Sequence, residues 1–214
     1  APEVYARAAS NLRQMLDAGV LARDAEPCYY VYRLVMGDHT QTGLVAVASV
    51  AAYDSNRIRK HEFTRPAKED DRVRQIEALN AQTGPVLLAC KSDPAVDAML
   101  DAVAAAKPDV ELTADDGIGH SLWVVRDVDM IERITAAFDA MEALYIADGH
   151  HRSAAASRVA ASHAGNAAAA GFLAVIFPHR QMQILDYNRV VRDLAGMSTE
   201  TFLARVVENF QVAP

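Results

Sequence analysis

The sequence predicts an α+β fold, a mixed sheet with hairpins and flanking helices. Three observations point there. Apolar, strand-like runs come in adjacent pairs. Other strand-like runs alternate with segments of helical periodicity, which fits neither an all-β nor a regular doubly wound pattern. The third is composition: 51% hydrophobic and 23% charged residues over 214 positions, the profile of a globular domain with a sizeable core.

Taken in order, Pro2 followed by Tyr5, Ala8, Leu12, Met15 and Leu16 gives a helix with one apolar stripe, ended by Gly19. "CYYVYRLVM" and "GLVAVASVAAY" read as two strands joined by the polar turn "GDHTQT", a hairpin. "RIRKHEFTRPAKEDDRVRQIEALNAQTG" is a loop leading into a helix, with Pro66 in its first turn and Gly84 closing it. "PVLLAC" is a short buried strand, and Pro94 starts the helix "PAVDAMLDAVAAA". "KPDVELTADDGIG" gives a strand and turn, and "HSLWVVR" another strand. The helix "VDMIERITAAFDAM" carries Ile131, Ile134, Phe138 and Met141 on one side. A strand over Leu144 to Ala147 runs into a helix from about His150. "AGNAAAAG" is a loop or helix end, "FLAVIF" and "QMQILDY" form a final hairpin, and "TETFLARVVENF" is a terminal helix. No repeat and no linker divides the chain.

Charge and cysteine usage narrow the function classes. A net charge of −7 does not favour nucleic acid, so an anionic ligand needs a local basic cluster. Cys28 and Cys90 fit neither a disulfide framework nor a CxxC metal site, and read as inert thiols. No secretory signal opens the sequence and no apolar run is long enough to span a bilayer, so the expected setting is cytoplasmic, without membrane contact. GxGxxG, HExxH and GxSxG are all absent, and "GDHTQTG" lacks the Lys-Ser/Thr ending of a P-loop.

The chemistry gathers in "LYIADGHHRSAAASRVAAS", Leu144 to Ser162. A helix start presents unpaired N–H groups and the positive end of the dipole. Gly149 lets the backbone approach a ligand, and His150, His151 and Arg152 add donors. Cations at that end are locally unfavourable unless an anion is held there, and phosphate is the obvious candidate. Two other readings are open. Asp148 is an N-cap with the basic residues on the surface, or Asp148, His150, His151 and His120 ligate zinc, although adjacent histidines diverge around a helix.

A second cluster, His61 to Arg72, places His61, Glu62, Thr64, Lys68, Asp71 and Arg72 in one loop and helix start. Lys68, Asp71, Arg72 and Gln75 project to one side of that helix, with Val73 and Ile76 toward the core. It reads either as a solvated face with local ion pairs, or as a carboxylate base, Glu62, beside cations that stabilise a moving phosphoryl group. Asn188 and Arg189 follow a strand-like run and are minor candidates.

Several ordered motifs resemble the bacterial domain-of-unknown-function family ten-fifteen, which is often labelled ParB-like. They are the hairpin "YVYRLVMGDHTQTGLVAVASVAAY", "KHEFTRPAKEDDR", "GHSLWVV", "YIADGHHR" and "ILDYNRVV". The Asp-Gly-His-His-Arg box is also similar to that of archaeal free-serine kinases of ParB/sulfiredoxin-like fold. The resemblance implies a nucleotide-dependent phosphotransferase, a kinase using ATP or ADP with Mg²⁺ on a small hydroxyl compound such as serine. It implies Asp148 as the catalytic or metal-orienting carboxylate, and Gly149, His150, His151 and Arg152 as phosphate contacts. Glu62 would be the base, with Lys68 or Arg72 on developing charge. Many relatives continue the box as Arg-Tyr-Glu-Thr-Ala, whereas this chain has "RSAAA", so roles of that tyrosine and glutamate do not transfer. Relatives are also longer, so residues 1–214 are expected to be a single α+β domain and a fragment of a longer protein. The alternatives are a non-catalytic nucleotide-binding or switch module, a metal-dependent hydrolase and an interaction domain. The expected partners are a nucleotide and a small-molecule substrate, with the acceptor and the oligomeric state left open.

Overall fold

A computed structural model describes residues 2–212. Contacts divide the chain into two compact units, Ala1–Met182 and Gln183–Pro214. The first is built on one eight-stranded sheet. Its elements in chain order are α1 (Pro2–Asp17), β1 (Tyr29–Met36), β2 (His39–Ser49), α2 (Val50–Asp54), β3 (Ile58–Arg59), α3 (Pro66–Leu79), β4 (Val86–Cys90), α4 (Pro94–Ala104), β5 (Val110–Thr113), β6 (Gly119–Val125), α5 (Val128–Asp139), β7 (Leu144–Asp148), α6 (His150–Ser162) and β8 (Gly171–Pro178). The spatial order is β3-β7-β4-β8-β2-β1-β6-β5. The β3–β7 and β4–β8 pairs are parallel and the others antiparallel, so the mixed α/β sheet expected from the sequence is the one observed.

Register explains the core. Ile146, Leu88, Ile176, Leu44, Val31 and Trp123 lie opposite one another across six adjacent strands. Paired residues share a face, so they form one apolar row, each 5% exposed or less. At one end of that row α4 and α5 contribute Val96, Met99, Leu100 and Ile134. At the other end α2 and α6 contribute Tyr53, Ala154 and Ala156. The alanines of α6 allow the helix to pack close to the sheet. Ion pairs fasten α3 to α6: Arg158 reaches Glu69 at 3.3 Å and Asp70 at 2.8 Å.

Four local expectations are corrected. The first hairpin turns on two residues, Gly37 and Asp38, and His39–Thr42 already belong to β2; Gly37 supplies φ +57°, the left-handed geometry that tight hairpins need. The second strand stops at Ser49, whose side chain accepts from the Ala52 N–H and starts the short α2. Asn80, at φ +47°, closes α3 instead of Gly84. Finally, "QMQILDY" forms no strand. Both edges of β8 are already taken, by β4 and β2, so no neighbouring position is open to a hairpin partner. The chain leaves the sheet through a 3₁₀ turn, His179–Gln181. There His179 accepts from the Ser92 N–H at 3.0 Å, Arg180 pairs with buried Asp97 at 2.6 Å, and Gln181 accepts from the Thr42 N–H at 2.7 Å.

In the second unit the described residues lack regular structure up to α7 (Thr199–Val207), which Ser198 caps. Arg189 stacks over Tyr187 at 4.4 Å. Both cysteines are free, and burial pushes the Cys90 thiol up to about 11. Among the described residues no helix is long and apolar enough to cross a membrane.

Candidate functional site

The two sequence clusters meet because of one strand pairing. Ile58–Arg59 of β3 lie parallel to Leu144–Tyr145 of β7. Parallel neighbours release their following loops at the same end of a sheet, so the loop Lys60–Arg65 lies beside the start of α6. Strand β4 is antiparallel to β7 and begins at that same end, bringing Gly84 and Pro85 alongside.

At the centre is Gly149, the N-cap of α6, with φ +99° and no side-chain cap bond. An added Cβ there would lie 3.2 Å from the Val86 Cα and 3.2 Å from the Arg152 Nε. The close approach that requires glycine is therefore to the chain's own backbone and to Arg152. Asp148 does not cap the helix; its carboxylate pairs with the Arg152 guanidinium, which also donates to the Pro85 carbonyl.

His150 and Arg152 are two positions apart, about 200° around a helix, and so leave α6 on opposite sides. On the first side His150 is 3% exposed, with Nδ1 3.3 Å from Glu62 Oε2 and its ring edge-on to His61, centroids 4.5 Å apart. Burial lowers its pKa below the ordinary histidine value; the His61 and His151 charges lower it further, and Glu62 and Asp148 oppose this. Nδ1 is the ring nitrogen that lies near the carboxylate, and Nε2 is buried with no hydrogen-bond partner among the described residues. His151 accepts through Nε2 from the Arg65 N–H at 3.1 Å, which fixes the loop to the helix. The cleft on this side, about 490 Å³, is lined by Tyr53, Lys60, His61, Glu62, Phe63, Thr64 and His150.

On the second side a cleft of about 430 Å³ is lined by Arg72, Gln75, Gln82, Thr83, Gly84 and Arg152, among others. Arg72 pairs with Asp71 at 3.2 Å and donates to Gln75 at 2.9 Å. The expected site residues are thus divided: Glu62 and His150 on one side of α6, Arg72 and Arg152 on the other, with Asp148 and Gly149 between. Lys68 is exposed on α3 and lines neither cleft. Pattern reading missed Tyr53, Lys60, Phe63, Gln82 and Thr83. Lys60 and Phe63 stand inside the quoted box "KHEFTRPAKEDDR" without having been singled out, but nothing local marks Tyr53, which arrives through α2, with the Lys60 ammonium 3.9 Å above its ring.

The zinc arrangement is not formed. His120 lies on β6, five strand positions from β7 and so about 24 Å along the sheet, where its Nδ1 meets the Tyr32 hydroxyl at 2.7 Å. Among the described residues no three His, Cys, Asp or Glu side chains group as metal ligands.

Fold and site together define a mixed α/β protein with two polar clefts flanking one helix start near the edge of its sheet. Residues 1–214 match the family described as protein of unknown function (DUF1015), and the chain belongs to that family. No curated protein and no solved structure matches it.

Proposed function

We propose that the protein is a nucleotide-dependent phosphotransferase acting on a small hydroxyl compound, with ATP or ADP as donor. The observation that carries this reading is the glycine-led start of α6, which no side chain caps, between a carboxylate–imidazole cleft and a two-arginine cleft. The likeness of Asp148–Arg152 to the serine-kinase box supports it, as does the ParB-like resemblance of the surrounding motifs. A nucleotide donor and two free thiols go with a cytoplasmic setting.

In this reading the N–H groups of the first turn and Arg152 hold the phosphate chain. Glu62 orients the acceptor hydroxyl and takes its proton as the acceptor oxygen bonds to the terminal phosphorus. The bridging P–O bond breaks, and the shortened nucleotide leaves. The nearby guanidinium and ammonium groups stabilise the charge that develops on the transferring phosphoryl oxygens. When bound, Mg²⁺ would neutralise the phosphates, with Asp148 as its protein ligand. Neutral His150 gives Glu62 an oriented neighbour in place of a second charge.

Asp148→Asn tests the reading. The variant is expected to lose transfer of label from [γ-³²P]ATP to a panel of small alcohols by at least about 100-fold. Its exposed ion pair contributes only about 0–1 kcal/mol, so its melting temperature should barely move. Wild-type turnover in this variant would remove Asp148 from the chemistry.

A further inference from the structure

Phe63 is wholly exposed, whereas the next most exposed aromatic side chain of the first unit, Tyr145, is 44% exposed. A single apolar side chain in water is ordinary, but the setting of this one is not. Its chain neighbours, Glu62 and Thr64, line the 490 Å³ cleft, and so does Phe63 itself. The loop that carries it is pinned on both sides. Lys60 sits over Tyr53, the Thr64 hydroxyl bonds to Glu69, and the Arg65 N–H donates to His151. The ring is therefore held at the cleft rim by fixed backbone while none of the described residues covers it.

Resting on the nucleotide reading above, we propose that Phe63 is the stacking platform for the donor's nucleobase, with the phosphate chain running inward to the start of α6. A small acceptor has too little flat surface to cover a phenyl ring, whereas a nucleobase offers a planar face of matching size. The cleft has the size of a small-molecule site. Lys60 and His61, between rim and helix start, carry the positive and hydrogen-bonding groups that the phosphate chain would pass.

The test uses Phe63→Ala and Phe63→Trp with two probes, ATP and inorganic tripolyphosphate, each with Mg²⁺, followed by calorimetry. Base–aromatic stacking predicts a loss of about tenfold in ATP affinity for Phe63→Ala, with tripolyphosphate affinity unchanged. Phe63→Trp should keep ATP affinity. Its new indole should be quenched by ATP and not by tripolyphosphate, against the buried Trp123. Undiminished ATP affinity in Phe63→Ala would overturn the platform while leaving the phosphate site intact, and an equal loss for both probes would overturn it by placing the effect on the phosphate contacts. Wild-type protein that binds neither probe would overturn the phosphate reading and this inference with it.

Discussion

The two sides of the first turn of α6 are unlike in a way that bears on their work. On the His150 side the polar groups are close but not saturated: the imidazole is buried, its Nε2 lacks a partner, and the Glu62 side chain is 60% exposed. On the Arg152 side each cation is already engaged, Arg152 by Asp148 and the Pro85 carbonyl, Arg72 by Asp71 and Gln75. The first cluster keeps unused hydrogen-bonding capacity, whereas a ligand on the second must displace a partner from Arg152 or Arg72. An anion on the Arg152 side would have to compete with Asp148.

The largest effect on this contrast is expected from Gly149→Ala. The substitution strains a φ of +99° and pushes a methyl group toward the Val86 backbone and the Arg152 guanidinium. Strain of this kind costs about 1–3 kcal/mol, so a thermal melt should show a drop of roughly 2–12 °C for a chain of this size. An unchanged melting temperature would mean that the helix start is not held against β4 as described.

A smaller effect sharpens the other side. His150 is neutral and buried in the folded chain, its pKa lowered mainly by burial. The unfolded chain therefore takes up the proton first as pH falls. The neutral ring's stability contribution is fully present above the ordinary histidine value of about 6.5. It declines below that pH, toward the lower folded-state value. Equilibrium melts of wild type and His150→Gln from pH 7.5 to 5 should show a shallower decline in the variant. Equal slopes would show that His150 does not titrate on unfolding.

Most of the fold was legible because periodicity and punctuation are local. Pro2, Pro66 and Pro94 open helices as read, and the Leu144 strand runs directly into α6. The failures are non-local. "QMQILDY" has a strand's pattern but no free edge to join, since parallel pairing of β4 with β8 uses the position. The short α2 was hidden in an apolar run that Ser49 interrupts only by capping. For the site, composition brought Glu62 and His150 to notice separately. Their meeting depends on two residues of β3 pairing with β7, which no local window contains. The same windows grouped Arg152 with His150, although helical geometry sends them to opposite clefts.

The central claim is that the start of α6 grips the phosphate chain of a nucleotide. Isothermal titration of the protein with ATP, with and without Mg²⁺, tests it most directly. The expected result is saturable 1:1 binding that inorganic tripolyphosphate displaces and that Arg152→Ala weakens. Absence of binding to both ligands, or ATP binding that tripolyphosphate cannot compete with and Arg152→Ala does not change, would contradict it.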